Sequence, residues 1–393
     1  MNKPGSSKVP ADRTKEVDAL LARALVTCAP WPELWHADPT RSAVVVERAL
    51  YHGIAALLSE RPEALLGWPE PLLKSLRRQA LGQTMWEARH FALLQSLLAA
   101  MAARGVGPLL LKGTALAYDL YEFPAQRARG DTDMLIARAE LEGARAALQE
   151  IGFVEQTHDA SGDDLFIIEE CWTHHVPGGG EHSIDLHTQP LNTFVHSTVL
   201  TFSELLAGAH PLPQLSPAAL APDHVSALMH CCLHRAQHLH SPYHVGGRSY
   251  LGGNRLIWLM DIRLLAGALA PADWDVLCNR ASDKGISRFC HDGLDAAGRQ
   301  LGAAIPVDVL HRLSSAGHDS PLYRHYHDPN RVRRSIRHVI AVPGFGSKAR
   351  LLWRHAFPPA SLVRTLYPDM IGRPLFLIHM RRLSDLLRRA VRR

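Results

Sequence analysis

Residues 109–136, with the sequence LLLKGTALAYDLYEFPAQRARGDTDMLI, change twice from apolar to polar. The apolar run at residues 109–111 predicts a short strand that turns into a helix at the Lys-Gly-Thr of residues 112–114. A loop that contains Pro and Gly follows, and residues 131–136 predict a second strand. This alternation predicts a small domain in which strands and helices are mixed.

Acidic side chains recur at a spacing of two on the predicted strands. Asp131 and Asp133 project from the same face of one strand, because side chains alternate between the two faces. Residues 183–187, Ser-Ile-Asp-Leu-His, place Asp185 and His187 on one face of another strand. If these two strands are neighbours in one sheet, they present three carboxylates together.

Three carboxylates within a few ångströms repel one another unless a cation lies between them. Hard oxygen ligands select Mg²⁺ or Mn²⁺, and two such ions about 4 Å apart hold the phosphates of an in-line phosphoryl transfer. The turn at Gly113 and Thr114 offers backbone N–H groups to phosphate oxygens. Lys112 and Arg127 are candidates to neutralise a leaving pyrophosphate. The segment therefore predicts a phosphoryl-transfer site.

Three motifs in a fixed order resemble those of the DNA polymerase beta-like nucleotidyltransferase superfamily, and more narrowly those of the bacterial uncharacterised nucleotidyltransferase family. They are Leu111-Lys-Gly-Thr-Ala-Leu, Arg127-x3-Asp-x-Asp-Met-Leu-Ile and Ile184-Asp-Leu-His. Weaker similarities are His234-x3-His238, Trp258-Leu-Met-Asp261-Ile and Phe357-Pro-Pro. The resemblance is strongest between residues 109 and 187.

The resemblance implies an enzyme that moves a nucleoside monophosphate from an NTP, such as ATP, to an acceptor hydroxyl and releases pyrophosphate. Asp131 and Asp133 would bind both metal ions, and Asp185 would bind the catalytic ion and help to activate the acceptor. The acceptor remains open among a small molecule, a peptide or protein, and an RNA end. This sequence has Thr114 where the superfamily has Ser, and Thr132 where an apolar residue is usual.

Histidines in residues 230–240 suggest a second kind of site. His230, His234 and His238 recur every four residues on one helix face, but a third metal ligand at a recognisable spacing is missing. We therefore expect these side chains to line the interface of the core module, facing the nucleotide. His187, His234 and His238 are candidates to orient a carboxylate or a metal-bound water.

Two other function classes compete with nucleotidyl transfer. One is a non-catalytic nucleotide-binding or scaffold protein with a degenerate nucleotidyltransferase module. The other is a zinc-dependent hydrolase that uses the histidines of residues 230–240. The sequence contains no P-loop, no nucleophile elbow and no dinucleotide-binding fingerprint, which argues against those three enzyme classes.

Length and pattern predict four regions along the 393 residues. They are a disordered leader at 1–16, a helical region at 17–104, a nucleotidyltransferase core at 105–215 and a helical region at 216–393. The fold class is α+β, with a small mixed sheet like a polymerase beta palm between helical regions. Within the last region, residues 321–329 are rich in His and Tyr and are expected to form a loop.

Composition limits the cellular setting. With 47% hydrophobic and 21% charged residues the chain is an ordinary globular mixture, and its net charge is +5. No apolar stretch is long enough to span a membrane, and residues 1–15 lack a secretory apolar segment, so we expect a cytoplasmic protein. Six scattered cysteines without a CxxC pair predict reduced thiols.

The C-terminus, residues 375–393, places leucines among arginines. This pattern predicts a terminal helix that docks by its leucines and leaves its arginines in water. Contact with an anionic membrane or with RNA is the alternative interpretation.

Overall fold

We describe a computed structural model of the chain. It describes residues 11–391 except for a set of short segments, which are residues 157–168, 177–179, 192–198, 239–242, 246–247, 251, 317–319, 329, 343, 359, 361–362, 365–366 and 371.

Within the described residues, four α-helices precede the first strand. They are α1 (Ala11–Ala24), α2 (Thr40–His52), α3 (Ala55–Ser59) and α4 (Glu70–Ala102). Because α1 begins at Ala11, residues 11–16 are helical and not part of a disordered leader as the sequence analysis expected. Two features hold the first part of α1 against the protein. Val17 is fully buried, and Glu16 accepts a hydrogen bond of 2.7 Å from Arg41 on α2. Residues 1–10 lie outside the described residues.

Seven short strands form one mixed sheet in the order β3-β4-β5-β2-β1-β7-β6. Their bounds are β1 (Leu109–Leu110), β2 (Asp131–Leu135), β3 (Val154–Glu155), β4 (Glu169–His175), β5 (Glu181–His187), β6 (His210–Pro211) and β7 (Leu220–Ala221). The pairs β2–β5 and β1–β7 are parallel, and the other neighbours are antiparallel. The connection between β4 and β5 contains the Pro-Gly-Gly-Gly of residues 177–180, of which residues 177–179 lie outside the described residues.

Helices connect these strands and fill the C-terminal half. They are α5 (Lys112–Asp119), α6 (Leu141–Glu150), α7 (Phe202–Ala207), α8 (His224–Gln237), α9 (Leu256–Ala268), α10 (Pro271–Asp283), α11 (Ser287–Leu301), α12 (Val307–Ser315), α13 (Pro321–His327), α14 (Arg331–Ala341), α15 (Phe345–Ala356) and α16 (Leu375–Val391). A two-stranded ribbon, β8 (Tyr243–Val245) and β9 (Arg248–Tyr250), follows α8. The architecture confirms the predicted α+β class with a mixed sheet between helical regions.

The sheet separates two hydrophobic cores. On one side, Met134, Trp172 and Ile184 pack with Leu94 and Leu97 from the second half of α4. On the other side, Leu135 and Leu109 of β1 join a larger core built from α1, α2 and α8–α12. Because Asp131 and Asp133 alternate with Met134 along β2, they face the side of the larger, helical core.

The predicted loop at residues 321–329 is wrong, because residues 321–327 form α13. The side chain of Ser320 accepts a hydrogen bond from the backbone N–H of Tyr323, and Pro321 occupies the first turn. A serine cap followed by proline is a favourable helix start that outweighs the loop-like composition. Tyr326 then packs its ring against Phe289 of α11 at a centroid distance of 5.2 Å.

Other expectations from composition can be compared with the described residues. All six cysteines are free thiols. None of the helices in the described parts of the chain is both long and apolar enough to cross a bilayer. The C-terminal segment forms α16, where Ile378 is fully buried while the side chains of Phe376 and Met380 are exposed. Arg392 and Arg393, at the end of this segment, lie outside the described residues.

Candidate active site

The parallel pairing of β2 with β5 brings the predicted carboxylates together. Asp133 lies directly opposite Asp185, and Asp131 lies opposite Ser183. Directly opposed residues on neighbouring strands project from the same face, so all three carboxylates and His187 share one side of the sheet. Two segments separated by about fifty residues in the chain therefore contribute to one acidic cluster.

Asp133 is held by two cationic or polar groups on the same oxygen atom. Lys112 donates from Nζ to Oδ1 at 2.6 Å, and Nε2 of His187 lies 2.9 Å from the same Oδ1. Lys112 is the first residue of α5 and has a φ of +49°, the one positive φ of a non-glycine residue in the described chain. This left-handed conformation is costly for a residue with a β-carbon. It occurs where the ammonium meets the acidic cluster.

Burial and mutual repulsion shift the protonation of the cluster. Burial opposes ionisation of Asp133, but the charge of Lys112 and the bond from His187 hold its pKa well below the usual value. Desolvation and the charge of Asp133 raise the pKa of Asp131. Burial, with the charges of Asp131 and Asp133, raises the pKa of Asp185 to about 7. Burial acts against a charged Lys112, yet attraction to Asp133 raises its pKa.

β4 adds two residues that the sequence analysis did not include. Glu169 pairs with His187, and Cys171 pairs with Asp185, so both project from the acidic face. Burial, with the charge of Asp185, raises the pKa of the Cys171 thiol to about 12. The alternation of Glu169 and Cys171, two residues apart, is the sequence signal that could have revealed both.

Arg127 is bound on all sides by protein groups. Its Nε and one terminal nitrogen donate to the two carboxylate oxygens of Asp261 at 2.7 Å each, and the other terminal nitrogen donates to the backbone oxygen of Ala128 at 2.7 Å. Tyr121 donates a further hydrogen bond of 2.8 Å to Asp261. The guanidinium lies against Gly113, where an added β-carbon would be 3.2 Å from its carbon atom. Arg127 thus fixes the turn around Gly113.

The hydroxyl of Thr114 points into the protein. It lies 2.8 Å from the hydroxyl of Thr132, which in turn lies 2.6 Å from Nε2 of His90 on α4. All three side chains are buried. The two Thr residues that depart from the superfamily pattern are therefore hydrogen-bonded to each other, and the chain of contacts joins α4 to both motifs. No feature of the sequence indicated that His90 belongs to this network.

The histidines of residues 230–238 lie on the same side of the sheet as the acidic cluster. Burial, with the charge of Lys112, lowers the pKa of His230 to about 3 and also lowers the pKa of His234 well below its usual value. The Nε2 atoms of His234 and His238 are 3.0 Å apart, and the ring of His238 stacks on Trp258 at a centroid distance of 5.2 Å. In the described part of the chain, these histidines do not form a group of three converging metal ligands.

The comparisons with known proteins agree with this geometry. A model of the family described as uncharacterised nucleotidyltransferase matches residues 39–302, about two thirds of the chain. No curated protein and no solved structure gives a significant match. The description of the family indicates nucleotidyl transfer as the general reaction. The chain belongs to the uncharacterised nucleotidyltransferase family, which confirms the resemblance seen in its three motifs.

Proposed function

We propose that the chain transfers a nucleoside monophosphate from an NTP to an acceptor hydroxyl. The observation that best supports this is the pairing of Asp133 with Asp185 across β2 and β5, with Asp131 on the same face. In the reaction, the acceptor oxygen bonds to the α-phosphorus and the bond from that phosphorus to the bridging oxygen breaks. Pyrophosphate leaves with the bonding electrons, and the hydroxyl proton passes to a base.

The negative charge of the three carboxylates favours a divalent cation beside Asp133. Lys112 and His187 both contact Oδ1, which leaves Oδ2 of Asp133 for another ligand. The three carboxylates carry more negative charge than one ammonium and one imidazole neutralise. We therefore assign Asp131, Asp133 and Asp185 as ligands of Mg²⁺ or Mn²⁺, which prefer carboxylate oxygens. When bound, these ions supply positive charge to the triphosphate and to the acceptor oxygen.

The first turn of α5 is the proposed triphosphate site. The ammonium of Lys112 and the backbone N–H groups at Gly113 and Thr114 offer donors to phosphate oxygens at the start of a helix. Arg127 acts on this site indirectly, because its nitrogen atoms are bonded to Asp261 and to the backbone. It keeps the turn in place, and this role replaces the direct phosphate contact that the sequence suggested.

The proposed acceptor site adjoins the start of β2. Arg129, Gly130 and Arg255 line part of a cavity of about 240 Å³, and Gly130 directly precedes Asp131 in the chain. In the described residues no carboxylate lies within ion-pair distance of Arg255, and burial together with the charge of Arg127 lowers its pKa to about 10. An anionic group of the acceptor would balance this charge. We assign to Asp185 the role of the base that accepts the proton of the acceptor hydroxyl.

The experiment that tests this function uses the full chain, Mg²⁺, each α-labelled NTP in turn and a cell extract. We expect one or more NTPs to transfer label to an extract component with release of pyrophosphate. The Asp133→Asn variant should transfer none, whereas Arg255→Gln should bind the NTP normally and transfer label more slowly. Labelling by the wild-type chain that does not exceed the labelling in extract alone would instead favour a non-catalytic scaffold, and equal labelling above that level by Asp133→Asn would contradict the role of Asp133.

A further inference from the structure

Three metal-binding side chains converge at the far end of α5. Oδ2 of Asp119, the last residue of α5, lies 3.0 Å from Nε2 of His210 on β6 and 3.0 Å from Nε2 of His224 at the start of α8. The three donor atoms all lie within 4.8 Å of one another. In the described part of the chain, this is the group of His, Cys, Asp or Glu side chains that meets this criterion.

The arrangement of these donors suits a small divalent ion. Zinc binds imidazole nitrogen and carboxylate oxygen at about 2.0–2.2 Å, so donors of a tetrahedral site stand roughly 3.3 Å apart. The observed separations of 3.0 Å from Oδ2 to each nitrogen need only a small adjustment. The two imidazole rings are 76° apart in orientation with centroids at 5.3 Å, so their edges converge and their faces do not stack.

We propose that Asp119, His210 and His224 form a binding site for a divalent transition-metal ion, with Zn²⁺ as its first candidate and water as the fourth ligand. The side chains are 17%, 32% and 30% exposed, which leaves one side of the site open to water. Imidazole nitrogen selects zinc and its neighbours over Mg²⁺, so the ion differs in kind from the one expected at the acidic cluster.

The surrounding charge also favours a cation. Asp223 and Asp273 act electrostatically on His224 in addition to Asp119. Arg280 offsets part of this charge, since it lies 3.8 Å from a carboxylate oxygen of Asp223. Three carboxylates and one guanidinium leave a net negative charge around the two imidazoles.

The location gives the ion a structural role. α5 begins at Lys112 in the acidic cluster and ends at Asp119, about 10 Å away at 1.5 Å per residue. α8 begins at His224 and carries His230, whose pKa is lowered partly by the charge of Lys112. An ion bound at Asp119 therefore ties together the two helices that border the proposed triphosphate site. It stabilises the native state, because the ligands are not brought together in the unfolded chain.

The test is a titration of Zn²⁺ into the metal-free full chain in the presence of excess Mg²⁺. Calorimetry measures the number of ions bound and the melting temperature. We expect one zinc equivalent and a rise in melting temperature. His210→Ala and His224→Ala should each weaken binding by more than about 100-fold, since even changes around metal ligands lower affinity about 10- to 100-fold. His175→Ala is the matched control, because His175 is exposed and lies 3.3 Å from Glu181 without a third ligand.

Two further measurements keep the result independent of variant folding and of the catalytic proposal. Co²⁺ added to the wild-type chain should give a visible absorption band that saturates at one equivalent and disappears when Zn²⁺ displaces it. Asp133→Asn with Asp185→Asn should retain the zinc equivalent even if nucleotidyl transfer is lost. Absence of zinc binding by the wild type, unchanged binding by both histidine variants, or loss of zinc in the double aspartate variant would overturn the proposal.

Discussion

The guanidinium of Arg127 lies against the α-carbon of Gly113. A β-carbon on Gly113 would stand 3.2 Å from Cζ and from one terminal nitrogen of Arg127, closer than such contacts normally come. The arginine cannot move freely, because it forms a bidentate ion pair with Asp261. Gly113 is therefore required by its neighbour inside the protein, in addition to any phosphate that approaches its backbone.

Gly113→Ala should lower the free energy of unfolding by about 1–3 kcal/mol, because an extra methyl group in a tightly packed site forces its neighbours to shift. Urea denaturation followed by circular dichroism measures this. Gly107→Ala is the control, since nothing lies within 4 Å of a β-carbon at that position. Equal stability of the two variants would show that Arg127 yields easily.

Asp261→Asn should destabilise the protein by about 3 kcal/mol, because it leaves the buried charge of Arg127 without its counterion. The side chains of the pair are only 7% and 4% exposed. Asp275→Asn, which breaks the exposed pair with Arg312, should change the free energy of unfolding by less than about 1 kcal/mol. A comparable loss in the two variants would contradict this account of the buried pair.

The left-handed conformation of Lys112 predicts that glycine gives a more stable protein than alanine at this position. Both Lys112→Gly and Lys112→Ala remove the ammonium, but glycine adopts a φ of +49° without strain. Lys112→Gly should therefore be more stable than Lys112→Ala by about 1 kcal/mol. At the exposed Lys74 inside α4, glycine should be less stable than alanine by about the same amount. Thermal or urea unfolding of the four variants decides whether the order reverses.

Acid should destabilise the chain through His52. Its Nδ1 accepts a hydrogen bond of 3.0 Å from the backbone N–H of Leu256, and its Nε2 lies 2.9 Å from Asp18. A proton on Nδ1 would oppose the N–H of Leu256. Burial lowers the pKa of His52 from 6.5 to about 4, although Asp18 acts in the opposite direction.

Because the unfolded chain binds this proton more readily, the contribution of His52 is complete above pH 6.5 and is lost as the pH falls towards 4. From pH 7 to pH 4.5 the loss should be about 2 kcal/mol. His52→Gln should reduce this pH dependence by that amount, and the exposed His36→Gln should leave it unchanged. Unfolding curves at several pH values test the prediction; parallel loss in all three proteins would contradict it.

Local patterns were sufficient to predict β1, β2 and β5 and the face on which the carboxylates lie. The alternation of Asp131, Asp133 and Met134 requires no knowledge of distant residues, and the same is true of Asp185 between Ile184 and Leu186. The family could be recognised because its motifs lie in short, continuous segments.

Contacts between distant segments could not be predicted in this way. Asp261 lies 134 residues after Arg127, and His90 lies 42 residues before Thr132, so no spacing rule connects them. The convergence of Asp119, His210 and His224 depends on the sheet order, which places β7 next to β1 and β6 next to β7. The loop prediction at residues 321–329 failed for a different reason. The His-rich and Tyr-rich composition resembles a loop, but the serine cap at residue 320 starts a helix.

We propose Asp133 and Asp185 as the catalytic carboxylates of this nucleotidyltransferase. The most direct measurement is pyrophosphate release from an NTP by the full chain with Mg²⁺ and extract, compared among Asp133→Asn, Asp185→Asn and Glu181→Gln. Glu181 lies at the exposed start of the same strand, β5, and serves as the control. We predict that both aspartate variants fold normally and lose at least about 100-fold in rate, while Glu181→Gln keeps the wild-type rate. Wild-type rates in either aspartate variant would contradict the claim.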